Sequence, residues 1–497
     1  MAYVARMFAS VTSVALVGIE PQSVRVEVHI SPSKPALTVV GLPDTAIREA
    51  RDRVRAALAS SGYSLPGRRV TVNLAPADLP KVGSAYDLPI ALGVLAAAGQ
   101  VPPGVGEVVA LGELALDGRV RPARGGLAAG LLARAKGLPC VVASESVPEA
   151  LLAGSGRVYG VDSLAEAVSA ALGELPHNPP PETHDECGSS ETDMAEIRGQ
   201  VVAKRALEVA AAGGHHVLMW GPPGSGKTML ARALQGILPD LTPEESLDVA
   251  QVWSASGRGR PSLRRPPFRA PHHTATVAAL VGGGSGIPVP GEASLAHRGV
   301  LFLDELGEFP SSSLDALRQP LEDQRVIVAR KGATVEFPAA LQVVGATNPC
   351  PCGFMGDRIV GCRCSTPQVD RYRRRLSGPM IDRFDLRVPV PRIDRSSLMG
   401  PAGERSEVVR DRVASARLRQ MERGVLNRSM GRDRLDAQAW EAGGMSLLGR
   451  AFDRRQISGR GFDRIRRVAR TIADLAGSDG VAEPHVAEAL SYRGEWS

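Results

Sequence analysis

A glycine-rich segment near the middle of the chain has the residue types and the spacing of a phosphate-binding loop. Its pattern, G-x-x-x-x-G-K-T, is formed by Gly221, Pro222, Pro223, Gly224, Ser225, Gly226, Lys227 and Thr228. Glycines let backbone N–H groups turn inward around phosphate oxygens, and the positive end of a following helix faces the same oxygens. Lys227 is placed to reach the outer phosphates, and the Thr228 hydroxyl to bind Mg²⁺. The segment predicts ATP and Mg²⁺ as cofactors.

Two adjacent carboxylates follow a second apolar run. The run Gly299–Leu303 ends in Asp304 and Glu305, and such a run is typical of a strand buried on both faces. At the end of that strand Asp304 can hold the Mg²⁺ shell, directly or through water. Glu305 can polarise the attacking water. Together with the glycine-rich loop, the pair predicts an enzyme that hydrolyses ATP.

Three further polar residues are candidates for contact with the nucleotide. Asn348 follows the apolar run Leu341–Ala346, so it can bond the terminal phosphate or the water; the alternative is a turn former before proline. Arg383 can reach across a subunit boundary to stabilise charge on the leaving phosphate, or be an ordinary surface or ion-paired arginine. Arg460 opens a helix and can contact nucleotide from a lid, or be an ordinary residue at a helix start.

Four of the six cysteines lie within fifteen residues of one another: Cys350, Cys352, Cys362 and Cys364. Four thiolates suit tetrahedral Zn²⁺, although the C-x-C spacing is tighter than the usual C-x₂₋₄-C. The sequence therefore predicts a structural zinc site, with reduced buried cysteines or a redox-labile pair as alternatives. Of the remaining two, Cys140 is predicted to be a core thiol and Cys187 a linker residue.

Basic residues cluster in several places that can hold a nucleic-acid backbone. Arg330 and Lys331 are adjacent, and arginine runs occupy positions 258–269 and 371–375. Such clusters bind phosphates without reading sequence. Few aromatic residues are interleaved, so base stacking is expected to be minor. The alternative is that each cluster is a solvated face or a patch of ion pairs between subunits.

The elements that must position these residues follow from periodicity. Around the glycine-rich loop, His216–Trp220, Val300–Leu303 and Leu341–Ala346 are predicted strands and Met229–Leu238 a helix, which indicates a parallel α/β sheet. Nearer the N-terminus, strands and helices also alternate, and the fold class there is predicted as α+β. The N-terminal elements are strands Ser23–Ile30 and Arg69–Leu74 and helices Pro43–Ser60 and Leu88–Ala98. The C-terminal helices are Val408–Glu422, Gly461–Ala476 and Glu483–Tyr492.

Composition divides the chain into three domains and limits the class of protein that it can be. The segment 174–193 is rich in Pro, Ser and acidic residues and is predicted to be a linker. It separates an N-terminal domain (1–173) from an ATPase domain (194–394) and a helical lid (395–497). Net charge is +6 over 497 residues, which permits a polyanionic partner. Neither a signal peptide nor an apolar run of bilayer length is recognised, so a cytoplasmic protein without a membrane partner is expected.

Three long motifs indicate to which family of ATPases the chain is similar. The stretches Phe268–Leu306, Arg375–Leu386 and Ile457–Leu475 resemble the ComM/YifB family of magnesium-chelatase-like AAA+ ATPases, and the likeness runs nearly end to end. The resemblance implies a homo-hexameric ring with nucleotide at the subunit interfaces. It also implies ATP-driven DNA branch migration, a helicase activity, in natural transformation or homologous recombination. Single-stranded or branched DNA is the expected partner, without sequence specificity, and no porphyrin is expected.

The same resemblance assigns roles to single residues. Asn348 matches the family's sensor 1, Arg383 its arginine finger and Arg460 its sensor 2. Phe268–His297 matches an insert in the second helix of the ATPase module. Val326–Phe337, which contains Arg330 and Lys331, matches a hairpin before sensor 1. In related rings these loops face a central pore, so both are candidate DNA contacts. His272 and His273 are then expected at a polar tip of the insert, with metal binding as the alternative.

The N-terminal domain resembles the degenerate Lon-protease-like domain of this family. In Pro80–Ile90 the protease nucleophile falls at Ala85, with Ser84 one place early. The region expected to carry the catalytic lysine, Gly112–Gly130, contains none. A serine without its base is a weak nucleophile, so no peptidase activity is expected. Lys81 and Ser84 are interpreted as turn residues.

Other classes of function remain open from the sequence. One is a chelatase-like or protein-remodelling ATPase subunit without DNA activity, although the fused N-terminal domain and the cysteine loop argue against a chelatase. Another is a scaffold whose hydrolysis controls assembly only. An active ATP-dependent protease is the last, and the missing catalytic pair argues against it.

Overall fold

The computed structural model describes most of the chain, and the described residues are 7–41, 45–79, 81, 83–102, 104–154, 156–179, 192–259, 264–284, 288–330, 333–357, 359–376, 378–454 and 457–493. Within this part, no helix has both the length and the apolar character needed to cross a bilayer. The chain forms an N-terminal region on a mixed sheet, a central region on a parallel sheet, and a C-terminal helical region.

The N-terminal region has the following described elements. Its strands are β1 (Phe8–Val17), β2 (Glu20–Ser31), β3 (Ala36–Val40), β4 (Arg69–Ala75), β5 (Val109–Leu111), β6 (Glu113–Leu114), β7 (Val120–Arg121), β8 (Cys140–Ala143) and β9 (Val158–Val161). Its helices are α1 (Thr45–Ser60), α2 (Asp87–Ala98), α3 (Gly126–Lys136), α4 (Val147–Leu151) and α5 (Leu164–Ala171). The larger sheet has the order β3-β4-β2-β1-β5-β8-β9, and β6 and β7 form a small hairpin.

Alternating apolar residues build the first half of this sheet. In β2, Val24, Val26, Val28 and Ile30 are buried while the intervening residues face outward, as period two requires of a half-buried strand. The strand predicted at Ser23–Ile30 is therefore confirmed. β1, β2 and β4 pair antiparallel, but β1, β5, β8 and β9 pair parallel. The second half is thus closer to α/β than the predicted α+β class.

The central region carries the parallel sheet. Its strands are β10 (Val217–Trp220), β11 (Phe268–Arg269), β12 (Val300–Leu303), β13 (Arg325–Arg330), β14 (Ala333–Pro338), β15 (Gln342–Thr347) and β16 (Leu386–Pro389). Its described helices are α6 (Val201–Gly213), α7 (Lys227–Ile237), α8 (Pro243–Ser256), α9 (Val277–Val281), α10 (Glu292–Leu295), α11 (Ser311–Ala316), α12 (Arg318–Asp323), α13 (Thr366–Arg375), α14 (Gly378–Ile381) and α15 (Arg395–Leu398).

Five strands of this region form one sheet in the order β11-β12-β15-β10-β16, all parallel. Every residue of β12 and β15 is buried, which explains why both strands are rich in apolar residues. Because the strands are parallel, their carboxyl ends meet at one edge of the sheet. β13 and β14 form a separate antiparallel hairpin, close to the predicted Val326–Phe337.

The C-terminal region is helical, as predicted. Its helices are α16 (Ser406–Glu422), α17 (Arg432–Asp436), α18 (Ala442–Asp453), α19 (Gly459–Leu475) and α20 (Glu483–Ser491). α16 packs behind α6 and α7: the guanidinium of Arg417 donates to the Ala211 carbonyl at 2.9 Å, and that of Arg410 to the Gly236 carbonyl at 2.9 Å. These bonds also satisfy carbonyls near the ends of both helices.

Both ends of the predicted linker are attached to folded parts. On one side, the Asn178 side chain accepts a hydrogen bond from the Gly160 N–H at 2.8 Å. On the other, the carboxylate of Asp193 accepts from the Ser406 N–H at 3.2 Å. Residues 180–191 lie outside the described part. The N-terminal region also touches the central one, since Ile19 packs into its apolar core.

Candidate active site

The glycine-rich loop leaves β10 at the carboxyl edge of the parallel sheet. A Cβ at Gly221 would lie 2.0 Å from the Val390 carbonyl oxygen, so only glycine fits against the neighbouring chain there. Gly226 has φ 92 and immediately precedes α7, a conformation that glycine adopts without strain. Because glycine has no side chain to cap the helix, the first N–H groups of α7 remain available to an anion.

Lys227 lies inside the loop with its side chain mostly buried. Its ammonium donates to the carbonyls of Gly221 at 2.8 Å and Pro222 at 3.0 Å, and lies 3.4 Å from the Asn348 side-chain oxygen. Burial lowers the pKa of Lys227 to about 8, opposed by the charge of Asp304. A phosphate at this position would favour the charged form again. The structure thus brings Lys227 and Asn348 together, across two adjacent strands.

The two carboxylates lie at the same edge, at the end of β12. The Thr228 hydroxyl donates to one oxygen of Asp304 at 3.0 Å, and the other oxygen accepts the Glu305 N–H at 2.9 Å. Thr228 and Asp304 are therefore adjacent, as a shared Mg²⁺ would require. Glu305 has φ 50, in the left-handed region, and 57% of its side chain is exposed.

His273 contacts Glu305, which the sequence reasoning did not foresee. The ring Nδ1 lies 3.1 Å from a carboxylate oxygen of Glu305, within hydrogen-bonding distance. His272 stacks on His273 with ring centroids 4.1 Å apart, but its own Nδ1 bonds the Thr274 hydroxyl at 2.9 Å. In the sequence, His272 and His273 stand shortly after β11. No sequence signal showed whether they face the catalytic carboxylates or a DNA-facing tip of the insert.

Arg383 lies at the opposite edge of the sheet. It precedes β16 by three positions, and Leu386 of β16 pairs with Val217 at the start of β10. Its guanidinium bonds the Glu322 carboxylate at 2.6 Å and the Pro379 carbonyl at 2.6 Å. Burial lowers the pKa of Arg383, and Arg460 is among the cations that add to this effect.

Arg460 is exposed at the start of α19. Its charge acts on Arg383, so it lies on the side of the sheet where Arg383 does, at the amino edge. A cavity of about 430 Å³ lies beside them, and four arginines line it together with acidic groups. The arginines are Arg383, Arg428, Arg464 and Arg467. The structure consequently divides the predicted catalytic set into two groups, one at each edge of the sheet.

The four clustered cysteines converge on one point beside the carboxyl edge. Three Sγ–Sγ distances are 3.4, 3.6 and 3.6 Å among Cys350, Cys352 and Cys362. Cys364 joins them, and all four sulfurs lie within 4.8 Å of one another. Ligands of a tetrahedral Zn²⁺ at about 2.3 Å would be separated by about 3.8 Å. The donor set and its spacing fit this metal.

The cysteine loop also touches the glycine-rich loop. A Cβ at Gly353 would lie 2.6 Å from the Pro223 side chain and 3.7 Å from that of Asn348. Further along, the carboxylate of Asp357 accepts from Arg392 at 2.6 Å, just beyond the strand that flanks Gly221. The cysteine loop therefore contacts the phosphate-binding segment at Pro223 and is also tied to the chain that follows β16.

A second cavity, of about 440 Å³, lies near the entrance to α6 and was missed by sequence reasoning. It is lined by Ile197, Gly199 and Val201 on one side and by residues 401–404 on the other. The Gln200 side chain donates to the Ser225 carbonyl at 3.1 Å and to the Pro391 carbonyl at 2.7 Å. Gln200 thus ties this cavity wall to the glycine-rich loop.

The predicted DNA contacts are only partly within the described residues. Arg330 pairs with Ala333 in the hairpin, but its side chain and Lys331 lie outside that part. Several arginines of the 258–269 run bond acidic groups of the same chain. The ion pairs join Arg258 and Arg269 to Glu292, and Arg264 and Arg265 to Asp240. For this run the structure favours the alternative that the arginines form ion pairs. The pairs are within one chain, whereas the expected ones were between subunits.

The N-terminal candidates of the protease type lie apart from one another. The Ser84 hydroxyl bonds the Glu113 carboxylate, whereas the Lys81 ammonium bonds the carbonyls of Pro76 and Gly41. The Lys81 side chain is 1% exposed and is therefore part of the core. The interpretation of Lys81 as a turn residue is thus incomplete. Burial lowers the pKa of Lys81. Cys140 is a core residue, as predicted, at 1% exposed.

The parallel sheet, its order and the residues at its carboxyl edge define a P-loop ATPase of the AAA+ class with a helical C-terminal region. Three family models match the chain: "Magnesium chelatase, subunit ChlI" over residues 193–398, "Subunit ChlI of Mg-chelatase" over 26–146, and "Magnesium chelatase, subunit ChlI C-terminal" over 403–493. The chain belongs to the ComM/YifB family of magnesium-chelatase-like AAA+ proteins.

Individual relatives support this membership over nearly the whole chain. Competence protein ComM of Haemophilus influenzae is 43% identical over 498 residues, covering 98% of this chain and 97% of that protein. An uncharacterised protein of Mycobacterium tuberculosis is 44% identical over 499 residues, covering 97% of each. The uncharacterised protein YifB of Escherichia coli is 42% identical over 495 residues, covering 96% of each.

Proposed function

We propose that this chain is a cytoplasmic ATP-driven motor that assembles as a homo-hexameric ring and moves DNA branches in natural transformation or homologous recombination. The observation that carries the ring is the division of the catalytic set between the two edges of one sheet. Lys227 and Glu305 lie at the carboxyl edge, whereas Arg383 lies at the amino edge. One chain cannot close its own site, but a neighbour that docks its amino edge can.

Within this proposal each residue at the carboxyl edge has a definite task. The first N–H groups of α7 and the Lys227 ammonium bind the phosphates, while Thr228 and Asp304 hold Mg²⁺. Mg²⁺, when bound, neutralises charge on the phosphate oxygens. Glu305 accepts a proton from the attacking water, and Asn348, which lies 3.4 Å from Lys227, orients the terminal phosphate. The cavity lined by Ile197 and Gly199 is proposed to take the adenine base.

The neighbouring subunit would complete the site. We assign to it the guanidinium groups of Arg383 and Arg460, which stabilise negative charge that develops on the leaving phosphate. In the single chain Arg383 is bonded to Glu322 at 2.6 Å, so docking has to exchange this partner for phosphate. The exchange would link hydrolysis to ring assembly.

We further propose that the four clustered cysteines bind a structural Zn²⁺. The distances of 3.4–3.6 Å between three of the sulfurs support this assignment. Protein purified without chelator should contain about one zinc per chain by elemental analysis. Replacing Cys352 and Cys364 together by serine should remove it, whereas Cys140→Ser should not. A metal-free preparation under reducing conditions would contradict the proposal.

DNA is proposed as the partner because the relative at 43% identity is a competence protein and because the hairpin β13–β14 carries Arg330 and Lys331. These cations would contact backbone phosphates without sequence preference. The N-terminal region is proposed to be a degenerate Lon-like domain without peptidase activity, since Ser84 bonds Glu113 and the Lys81 ammonium bonds carbonyls.

The deciding experiment is steady-state ATP hydrolysis with single-stranded, duplex and four-way-junction DNA, with Glu305→Gln as the blank. Stimulation that is strongest with branched DNA is expected, followed by strand exchange in a migration assay. Hydrolysis that is indifferent to all three DNA substrates would instead favour a chelatase-like or protein-remodelling ATPase, to which the chelatase family models also point.

A further inference from the structure

Two buried nitrogen atoms in the cavity at the amino edge have no hydrogen-bond partner among the described residues. They are Nε2 of His216 and Nη1 of Arg464, and both residues line the cavity of about 430 Å³ beside Arg383. His216 is 3% exposed, so its ring is held inside the fold. A buried donor without an acceptor is unfavourable in free energy. Both nitrogens are therefore available to a ligand that enters the cavity.

The hydrogen bond at the other ring nitrogen of His216 determines where its proton lies. The Val343 N–H donates to Nδ1 at 2.8 Å, so a neutral ring carries its proton on Nε2. Burial lowers the pKa of His216 well below its usual range, and the charges of Arg428 and Arg464 add to this effect. The ring is consequently neutral at physiological pH, and Nε2 is a hydrogen-bond donor that requires an acceptor.

The arginines around the cavity carry positive charge that the neighbouring acids only partly offset. The Arg464 guanidinium lies 4.0 Å from the carboxylate of Asp385, which is the buried one of the three acids that line the cavity. Glu322, one of the other two, is bonded to Arg383 at 2.6 Å. Burial lowers the pKa of three further arginines of the lining, and the charge of Arg464 adds to this effect in Arg383, Arg428 and Arg467. An anion in the cavity would be stabilised by these charges as well as by hydrogen bonds.

We propose that this cavity is a second phosphate-binding site, formed within one chain by Nε2 of His216 and Nη1 of Arg464. A phosphate group has several acceptor oxygens and negative charge, which matches an imidazole N–H and a guanidinium N–H side by side. The group can come from two sources, free inorganic phosphate or the terminal phosphate of a nucleotide held by a neighbouring subunit. The second source rests on the proposed ring, whereas the site itself requires one chain only.

Binding of inorganic phosphate tests the site directly. The parent protein is the full-length chain with Lys227→Ala, which weakens the glycine-rich loop as a phosphate site, and binding is measured by equilibrium dialysis without nucleotide. We expect about one phosphate per chain. Adding Arg464→Gln should weaken binding about tenfold, because a charge-assisted hydrogen bond is lost. Arg450→Gln is the matched control: its guanidinium bonds the Ser446 hydroxyl, outside the cavity, and its affinity for phosphate should equal that of the parent.

A second variant, His216→Asn, removes the Nε2 donor while keeping the contact that holds the ring in place. The asparagine oxygen can still accept the Val343 N–H, but nothing replaces the proton on Nε2. Phosphate affinity should fall about fivefold, and the melting temperature without phosphate should stay close to that of the parent. If Arg464→Gln does not fold, because Asp385 then loses a nearby cation, His216→Asn decides the matter.

A non-hydrolysable ATP analogue separates the two sources of phosphate. If a neighbour's nucleotide fills the cavity, the analogue should prevent wild-type protein from binding free phosphate there, and both substitutions should lower kcat with little change in KM. If free phosphate is the ligand, it should bind equally with and without the analogue, and kcat should stay at the wild-type value. Either result supports the site.

Two results would overturn the inference. One is that Lys227→Ala protein binds no phosphate, and the other is that the Arg464 and His216 variants bind it as well as their parent does. Hydrolysis that ignores DNA would contradict the proposed motor instead, while the phosphate measurements would still decide whether the cavity is a binding site.

Discussion

The two edges of the central sheet carry complementary halves of one chemistry. At the carboxyl edge, Lys227 lies 3.4 Å from Asn348, and the Thr228 hydroxyl bonds Asp304 at 3.0 Å. At the amino edge, Arg383 is surrounded by other cations and is held by Glu322. The two edges are separated by the length of the strands, at about 3.3 Å per residue, so one chain cannot bring these groups together. The difference supports the proposal that a neighbouring subunit completes the active site.

The largest effect should come from removing the cation at the amino edge. Arg383→Ala is expected to lower kcat by about 10³-fold, as loss of an arginine finger does, while ATP still binds. Mixing Arg383→Ala with Glu305→Gln should restore part of the turnover, because some interfaces then pair an intact carboxyl edge with an intact Arg383. Each variant alone is the control. Mixtures without any recovery would show that the two edges do not meet between subunits.

The next largest effect on turnover should come from changing Glu305 at the carboxyl edge. Glu305→Gln is expected to lower kcat by about 10²-fold, because the amide cannot accept a proton from water. Binding of nucleotide, followed with a fluorescent ATP analogue, should stay within about twofold of wild type. Lys227→Ala, by contrast, should lose binding itself. Unchanged turnover in Glu305→Gln would remove this residue from its proposed role.

The buried lysine gives the carboxyl edge a pH dependence. The pKa of Lys227 is lowered to about 8 by burial, so the free protein loses this charge as the pH rises through 8. Phosphate favours the charged form, and ATP binding above pH 8 must then take up a proton. We expect Kd for ATP to weaken about tenfold between pH 7 and 9.

Calorimetry in two buffers of different ionisation enthalpy measures this uptake directly. Net proton uptake at pH 8.5 and little at pH 6.5 is the expected result. Folding of the free protein has the opposite pH dependence: because the pKa of Lys227 is lowered, the free energy cost of burying its charge is present below pH 8 and is relieved as the pH rises above it. Proton release on binding would contradict the assignment.

The smallest effect tests whether the cysteine loop braces the carboxyl edge. Gly353→Ala places a Cβ 2.6 Å from Pro223, whereas Gly356→Ala meets nothing within 4 Å. Both glycines have positive φ, 84 and 76, so the backbone strain is matched. KM for ATP should rise about threefold more in Gly353→Ala than in Gly356→Ala. Equal values in the two variants would mean that the contact with Pro223 does not position the loop.

Much of the central region could be predicted because its signals are local. The apolar runs at β10, β12 and β15 follow from burial on both faces, and the glycines of the loop follow from positive φ and close approach. The fold of the N-terminal region was harder to predict. Its sheet changes from antiparallel to parallel pairing at β1, and a strand's own sequence does not specify the direction of its neighbour.

Side-chain partners were the least predictable feature. His273 was expected at a polar tip, but the turn after β11 brings it to Glu305. The arginines 258, 264, 265 and 269 form a basic run in sequence, yet each bonds a carboxylate from another element. Charge pairing of this kind depends on which elements pack together, and a run of like charges in sequence carries no information about that.

By itself the sequence determined the class of chemistry, since the phosphate-binding loop, the paired carboxylates and the four cysteines are each defined by residue type and spacing. It also determined the family, through motifs long enough to be specific. Only the tertiary structure decided how these groups are distributed. The parallel direction of the strands places Lys227 and Glu305, which follow strands, at one edge and Arg383, which precedes a strand, at the other. The pairing of strands is set by long-range packing between segments far apart in the chain.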